Sequence, residues 1–169
     1  MEGYNYHPAI TGLQQFFHHE FCDYYLEYVK WRVYDSPDSD EARGALAALE
    51  EVLQKSLLML APISPHITEE LYSEAFGKSP SDSIHLQKWP EFDGNKIDAT
   101  LEQSGADANL ITSMIWKERT ARALGAKETL AQATVTAPGP IGDFSREIAS
   151  AAKVGKVLIS KGAISVSVI

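Results

Sequence analysis

The sequence predicts a mainly α protein, a helical bundle over residues 1–92 followed by a small α+β unit over residues 93–169. Three observations carry this. Apolar residues recur at spacings of three and four through most of the first part, the period of a helix with one buried stripe. After about Phe92 the texture changes to one helix and short alternating segments. A length of 169 residues suits one domain of ordinary size, or one with a small appendage.

The first helix is predicted from about Pro8 to Tyr34, with Pro8 in the first turn, where its missing N–H is not needed. Ile10, Leu13, Phe17, Phe21, Tyr24, Tyr28 and Trp31 form its stripe, and Cys22, Leu26 and Val29 widen it. A narrow polar strip remains, His19, Asp23, Glu27 and Lys30, with Phe16 beside it. So dense an aromatic load predicts a helix buried on at least two sides.

Residues 35–40, Asp-Ser-Pro-Asp-Ser-Asp, read as a loop. A second helix should run to about Leu60 on a stripe of Leu46, Leu49, Leu53, Leu57 and Leu60. Ser64 and Pro65 can cap and open the third, with Glu69 and Glu70 near its positive end. That helix should stop near Phe76-Gly77, where glycine suits a left-handed cap. Residues 79–83 (Ser-Pro-Ser-Asp-Ser) read as a loop, and Ile84 to Pro90 as an extended segment pinned by Trp89.

In the second part, Ile97 to Leu124 reads as helical, with Leu101, Ile111, Met114 and Ile115 apolar. Gln132–Ala137 alternates as a strand. Pro138-Gly139-Pro140 breaks the chain before a short helix, Ile141 to Lys153. Lys156–Ile159 and Ala163–Val168 are predicted as a hairpin around Ser160-Lys161-Gly162.

Net charge is −8, unevenly shared: residues 1–95 hold 6 Lys/Arg and 16 Asp/Glu, and residues 96–169 hold 9 and 7. An acidic first part argues against broad, non-specific nucleic-acid binding, which depends on neutralising phosphates. Any RNA contact must be local. The sequence has no apolar run near the roughly 20 residues that span a bilayer, and residues 1–5 lack the basic and apolar regions of a signal peptide. One cysteine, Cys22, gives no internal disulfide and suits a reducing cytoplasm.

Catalytic and metal chemistry find little support. His18, His19 and Cys22 are too few for zinc without further ligands, and His66 to Glu70 lacks the His-Glu-x-x-His order. No nucleophile elbow, P-loop or dinucleotide fingerprint occurs. Asp23 and Glu27 lie one turn apart, yet a solvated carboxylate face explains them better than an acid–base pair. Catalytic residues and metal ligands are therefore expected to be none.

Two clusters have the residue types that meet RNA, aromatics for stacking bases and cations for phosphates. The first is Phe16, His19, Asp23, Lys30, Trp31 and Arg32 on helix one. The second is Trp116, Lys117, Arg119 and Arg122, with Lys127 nearby. The bland alternatives are that Lys30 pairs with Glu27, and that Trp116 covers the small sheet while the cations are solvated.

The run Glu20-Phe21-Cys22-Asp23-Tyr24-Tyr25-Leu26-Glu27 with Lys30 resembles the signature of the anticodon-binding bundle of valyl-tRNA synthetases. So do Leu57 to Tyr72 (Leu-Leu-Met-Leu-Ala-Pro-Ile-Ser-Pro-His-Ile-Thr-Glu-Glu-Leu-Tyr), Ser83-Ile84-His85-Leu86 and Trp89-Pro90-Glu91. These blocks keep the family's order over most of residues 5–92, while residues 93–169 share only the layout. The Phe21-Cys22-Asp23 block favours the valyl over the isoleucyl and leucyl relatives. Family members usually have tryptophan at His18 and often at Tyr24.

The resemblance implies a bundle of the class I synthetase anticodon-binding type, with a valine-accepting tRNA as partner. It begins inside the bundle, so the chain reads as a C-terminal piece of the short archaeal kind, without the preceding helix and the catalytic and editing domains. The remainder of the synthetase is then a second partner, and an uncovered face of helix one should cause self-association. ATP and magnesium are implied for the parent ligase and no cofactor for this piece, which should be inactive alone. The rivals are an isoleucyl or leucyl anticodon-binding region, or a helical protein-interaction scaffold that does not bind RNA.

Overall fold

The computed structural model describes residues 5–77, 79, 81–125, 127–139 and 141–169. The sequence readings at residues 1–4, and those that place Pro80 and Pro140 in loops, lie outside the described residues. The protein is mainly α with a small α+β part.

Helix one is continuous but not uniform. It runs as α1 (His7–Gln14), a π-helical stretch (Gln15–Tyr25) and α2 (Leu26–Asp35). Such i→i+5 stretches are rare and usually a single turn long. Here the wider winding brings Phe16 onto Phe21, five residues on, with centroids 6.5 Å apart. Phe17 and Tyr25 also meet the Phe21 ring, at 5.5 Å and 5.8 Å. The predicted stripe is thereby rotated: Phe21, Tyr28 and Val29 are fully buried, while Ile10, Leu13 and Phe17 are half-buried.

Helix α3 (Asp40–Leu60) opens on Ser39, whose hydroxyl accepts the Ala42 N–H at 3.1 Å. Its buried face is Ala42, Ala45, Ser56 and Leu57; Leu46, predicted for the stripe, is exposed. Small residues at Ala42 and Ala45 let α2 approach closely at this end, while Leu57 keeps its place in the core at the other.

Ser64 precedes α4 (Pro65–Phe76), but its hydroxyl makes no cap. Its carbonyl instead accepts the Thr68 hydroxyl at 2.9 Å. Gly77 is extended rather than left-handed. Glycine is needed there for another reason, because a Cβ would stand 2.5 Å from the Ser73 carbonyl oxygen.

The segment after α4 corrects the sequence reading. Ile84–Leu86 is a 3₁₀ turn, and Ile84, 1% exposed, pins it, whereas Trp89 is 52% exposed. Glu69 sets the turn by accepting the Ser83 hydroxyl and the Ile84 N–H at 2.9 Å and 3.0 Å. Leu57, Ala61, Tyr72 and Ile84 form this end's core.

After a second 3₁₀ turn (Gly94–Lys96), α5 (Ala99–Ala121) starts on Asp98, whose carboxylate accepts the Thr100 and Leu101 N–H groups. Ile111 and Ile115 are buried as the periodicity requires, and Leu101 is exposed. Then follow β1 (Leu130–Ala137), a 3₁₀ turn (Gly142–Phe144), α6 (Ser145–Ala152), β2 (Val154–Lys161) and β3 (Ser165–Val168).

The strand order is β2-β1-β3, which overturns the predicted hairpin. β1 pairs in parallel with β2 (Val135 opposite Ile159) and antiparallel with β3 (Val135 opposite Val166). The turn after β2 crosses the end of β1, where Gly162 donates its N–H to the Ala137 carbonyl. β1 takes the centre because Ala133, Val135 and Ala137 lie under α5 and α6 with Ile111, Ile115 and Ile148.

Candidate nucleic-acid interface

Helix one is held from two sides. α3 and α6 both pack on α2, and α5 meets helix one through side chains. The α5 contacts are specific: Asn109 Nδ2 donates to Glu20 at 3.0 Å, and the Tyr28 hydroxyl meets Thr112 Oγ1 at 3.0 Å. Burial of Tyr28 pushes its phenol well above the ordinary value, and burial likewise raises Tyr24 and Tyr25. Those three tyrosines stay neutral and serve as packing groups with polar tips.

What this packing leaves open is a strip of Phe16, His19, Asp23 and Lys30, all exposed. His19 Nδ1 lies 3.1 Å from Asp23 Oδ2, and Lys30 donates to Glu27. The plainer expectation for Lys30 thus describes the structure. Phe16 keeps 43% of its surface, a half-open ring at the π-helical stretch. Cys22 is half-buried, and burial followed by the neighbouring Asp23 raises its thiol pKa, which disfavours the thiolate.

Trp31 and Arg32 turn inward. Arg32 pairs with Glu147 of α6, whose side chain is 6% exposed. Trp31 is half-buried, with the Arg146 guanidinium 3.8 Å from its ring centroid. Trp31 Nε1, Arg32 Nε and Glu147 Oε2 are buried without hydrogen-bond partners among the described residues. The Arg32–Glu147 ion pair is therefore the main compensation for two charges at this junction.

The second predicted cluster is not a separate patch. Trp116 stacks on Tyr24, centroids 5.4 Å apart, and donates Nε1–H to the Ala151 carbonyl at 3.2 Å. Arg119 is buried and commits its guanidinium to the carbonyls of Lys153, Gly125 and Glu128. That three-way bond ties the end of α5, followed by left-handed Ala123, to the end of α6, capped by left-handed Lys153. Arg122 donates to the Val168 carbonyl at 2.7 Å. Lys117 and Lys127 stay exposed.

The sequence reading missed Tyr28, Thr112, Arg146 and Glu147 as organisers of the junction. Only Glu147, a carboxylate in the apolar face of a short helix, carries a signal that could have marked it. Among the described residues no group of three or more His, Cys, Asp or Glu is placed to hold a metal ion. No described helix is long and apolar enough to cross a membrane.

The fold and strip together define a helical bundle with one aromatic and polar edge open on its central helix. Over residues 1–135 the chain matches the family described as the anticodon-binding domain of tRNA ligase, and it belongs to that family. The valine–tRNA ligase of Methanothermobacter thermautotrophicus is 32% identical over 166 residues, covering 96% of this chain and 18% of that protein. That of Pyrococcus furiosus is 38% identical over 118 residues, 69% of this chain and 13% of the relative. The enzyme of Anaplasma marginale is 35% identical over 117 residues, 69% of this chain and 14% of its own length. The chain thus spans less than a fifth of the length of these relatives.

Proposed function

We propose that this chain binds the anticodon stem-loop of a valine-accepting tRNA. In an intact valine–tRNA ligase it would hold that tRNA so that the acceptor end reaches a distant catalytic domain. The observation that carries this is the family match over residues 1–135, joined to valine–tRNA ligase relatives that align with 96% of the chain. The cytoplasm is the proposed location, and the remainder of the ligase the proposed second partner.

Direct contact with RNA is assigned to Phe16, His19, Asp23, Lys30 and Lys117. The open Phe16 ring offers a face for a base, Asp23 and His19 offer groups for base edges, and Lys30 exchanges Glu27 for a phosphate. Trp31, Arg32, Trp116, Arg119 and Arg122 hold this surface in shape. With Glu20, Asp23 and Glu27 on the same helix, few phosphates can be neutralised. A net of one or two gives a salt slope of about −0.7 to −1.4 for single-stranded contacts.

Aminoacylation belongs to the catalytic domain of such a ligase. ATP and magnesium would act there, because the donor sets of this chain include neither a phosphate-cradling glycine loop nor a metal-ligand cluster among the described residues. The expected result is that the purified chain binds a valine-accepting anticodon stem-loop saturably and in preference to isoleucine- and leucine-accepting ones. Preference for the isoleucine- or leucine-accepting stem-loop would favour the corresponding rival reading, and equal binding of all three a general RNA contact. No binding would favour a protein-interaction scaffold, a reading the acidic balance of residues 1–95 supports.

A further inference from the structure

Away from helix one, a groove of about 370 Å³ lies between the first turns of α5 and the segment after β1, lined by Ala99, Thr100, Gln103, Ser104, Asp107 and Gly139. Its floor is a charge. Asp107 is 6% exposed, and among the described residues its carboxylate accepts one hydrogen bond, from Gln103 Nε2 to Oδ1 at 2.9 Å. No ion pair joins it to a described cation. Its other oxygen, Oδ2, faces Gly139, where an added Cβ would stand 3.8 Å away. A largely enclosed carboxylate that opens on the groove and has no described cation beside it offers a seat for one.

The neighbouring polar atoms are acceptors too. Gln103 commits its amide nitrogen to Asp107, which leaves its carbonyl oxygen. The Ser104 hydroxyl donates to the Thr100 carbonyl at 2.9 Å, which leaves its lone pairs. Residues 97–116 hold Asp98, Glu102 and Asp107 and no lysine or arginine. Leu110 is exposed one turn beyond Asp107 on the same helix face, and exposed Leu101 flanks Ser104.

We propose that this groove receives the guanidinium of an arginine side chain carried by a protein partner. Guanidinium is planar, weakly hydrated and rich in N–H donors, which suits several acceptors around one carboxylate; an ammonium is a compact and strongly hydrated point charge. The flanking leucines offer apolar surface to the stem of the arginine and its neighbours. The anionic helix face disfavours a phosphodiester occupant, so this site is independent of the RNA reading.

The test is titration of the isotopically labelled chain with N-acetyl-arginine methylamide, followed by amide chemical shifts. Saturable shifts at Ser104, Asp107 and Gly139 are expected, weaker with the lysine analogue and absent with the neutral citrulline analogue. Asp107→Asn should weaken arginine binding about tenfold, the effect of losing a charge-assisted bond. Gly139→Val, which leaves the carboxylate in place and fills the space beside it, should do the same if Asp107→Asn does not fold. Equal shifts with the citrulline analogue, or unchanged binding in the variants, would overturn the proposal. Displacement of the probe from this groove by an anticodon stem-loop would overturn the protein partner and reassign the groove to RNA.

Discussion

Arg32 of helix one and Glu147 of α6 form an ion pair that joins the bundle to the α+β part, with Glu147 almost wholly enclosed. The asymmetry predicts unequal effects. Arg32→Met leaves a buried carboxylate without its cation and should cost about 3 kcal/mol, the lower end for a broken buried pair, since Arg32 is partly solvated. Glu147→Gln, which removes the more deeply buried charge, should cost less. Urea denaturation of both variants and the double variant measures the difference.

Tyr28 and Thr112 predict a second asymmetry. Their hydroxyls meet at 3.0 Å in the seam between helix one and α5, and Thr112 is fully buried. Tyr28→Phe should cost about 1–2 kcal/mol because it strands the Thr112 hydroxyl. Adding Thr112→Val should recover most of that loss. Thermal or urea unfolding of the three variants checks the cycle.

On the acid side, Glu51 should contribute a small slope. Hydrogen bonds from Lys55 and then Lys96 hold its carboxyl down to about 2, against an ordinary 4.5. The folded state therefore favours the ionised form. Its contribution is complete above about pH 4.5 and is lost as pH falls toward 2. The group is solvated, so the amount is below about 1 kcal/mol. Glu51→Gln should flatten stability over that window in pH-dependent denaturation.

Leu86, Trp89, Phe92, Ile97 and Leu101 are all exposed, with Phe92 at 85%. The self-association expected from an uncovered helix one therefore has a better seat on this segment. Sedimentation should show mass rising with concentration, and Phe92→Ser with Trp89→Ser should reduce it. A monomer at every concentration would count against an exposed apolar surface of this size acting alone.

The helices were legible because their signal is local, the three-and-four spacing that includes Phe21, Tyr28, Ile111 and Ile115, whereas the caps at Ser39 and Asp98 emerge only in the structure. The π-helical winding was not, since it changes hydrogen-bond partners without changing residue types. The sheet order failed for a related reason. Ser160-Lys161-Gly162 is a good turn sequence, but the apolar face of β1 lies under α5 and α6, and that tertiary demand placed β1 between β2 and β3. At the site, exposure separated candidates that the sequence could not. Phe16, His19, Asp23 and Lys30 face solvent, whereas Arg32 and Arg119 answer a carboxylate and three carbonyls supplied by distant parts of the chain.

The proposed function rests on contact between the open strip of helix one and the anticodon stem-loop. Its most direct test is fluorescence titration of a labelled valine-accepting stem-loop with the wild-type chain, Phe16→Ala and Lys30→Ala at several salt concentrations. Phe16→Ala should lose about 1–3 kcal/mol of binding, from one stacked base. Lys30→Ala should weaken binding at every salt concentration and reduce the salt slope by about 0.7. Binding that is identical in all three chains would contradict that contact.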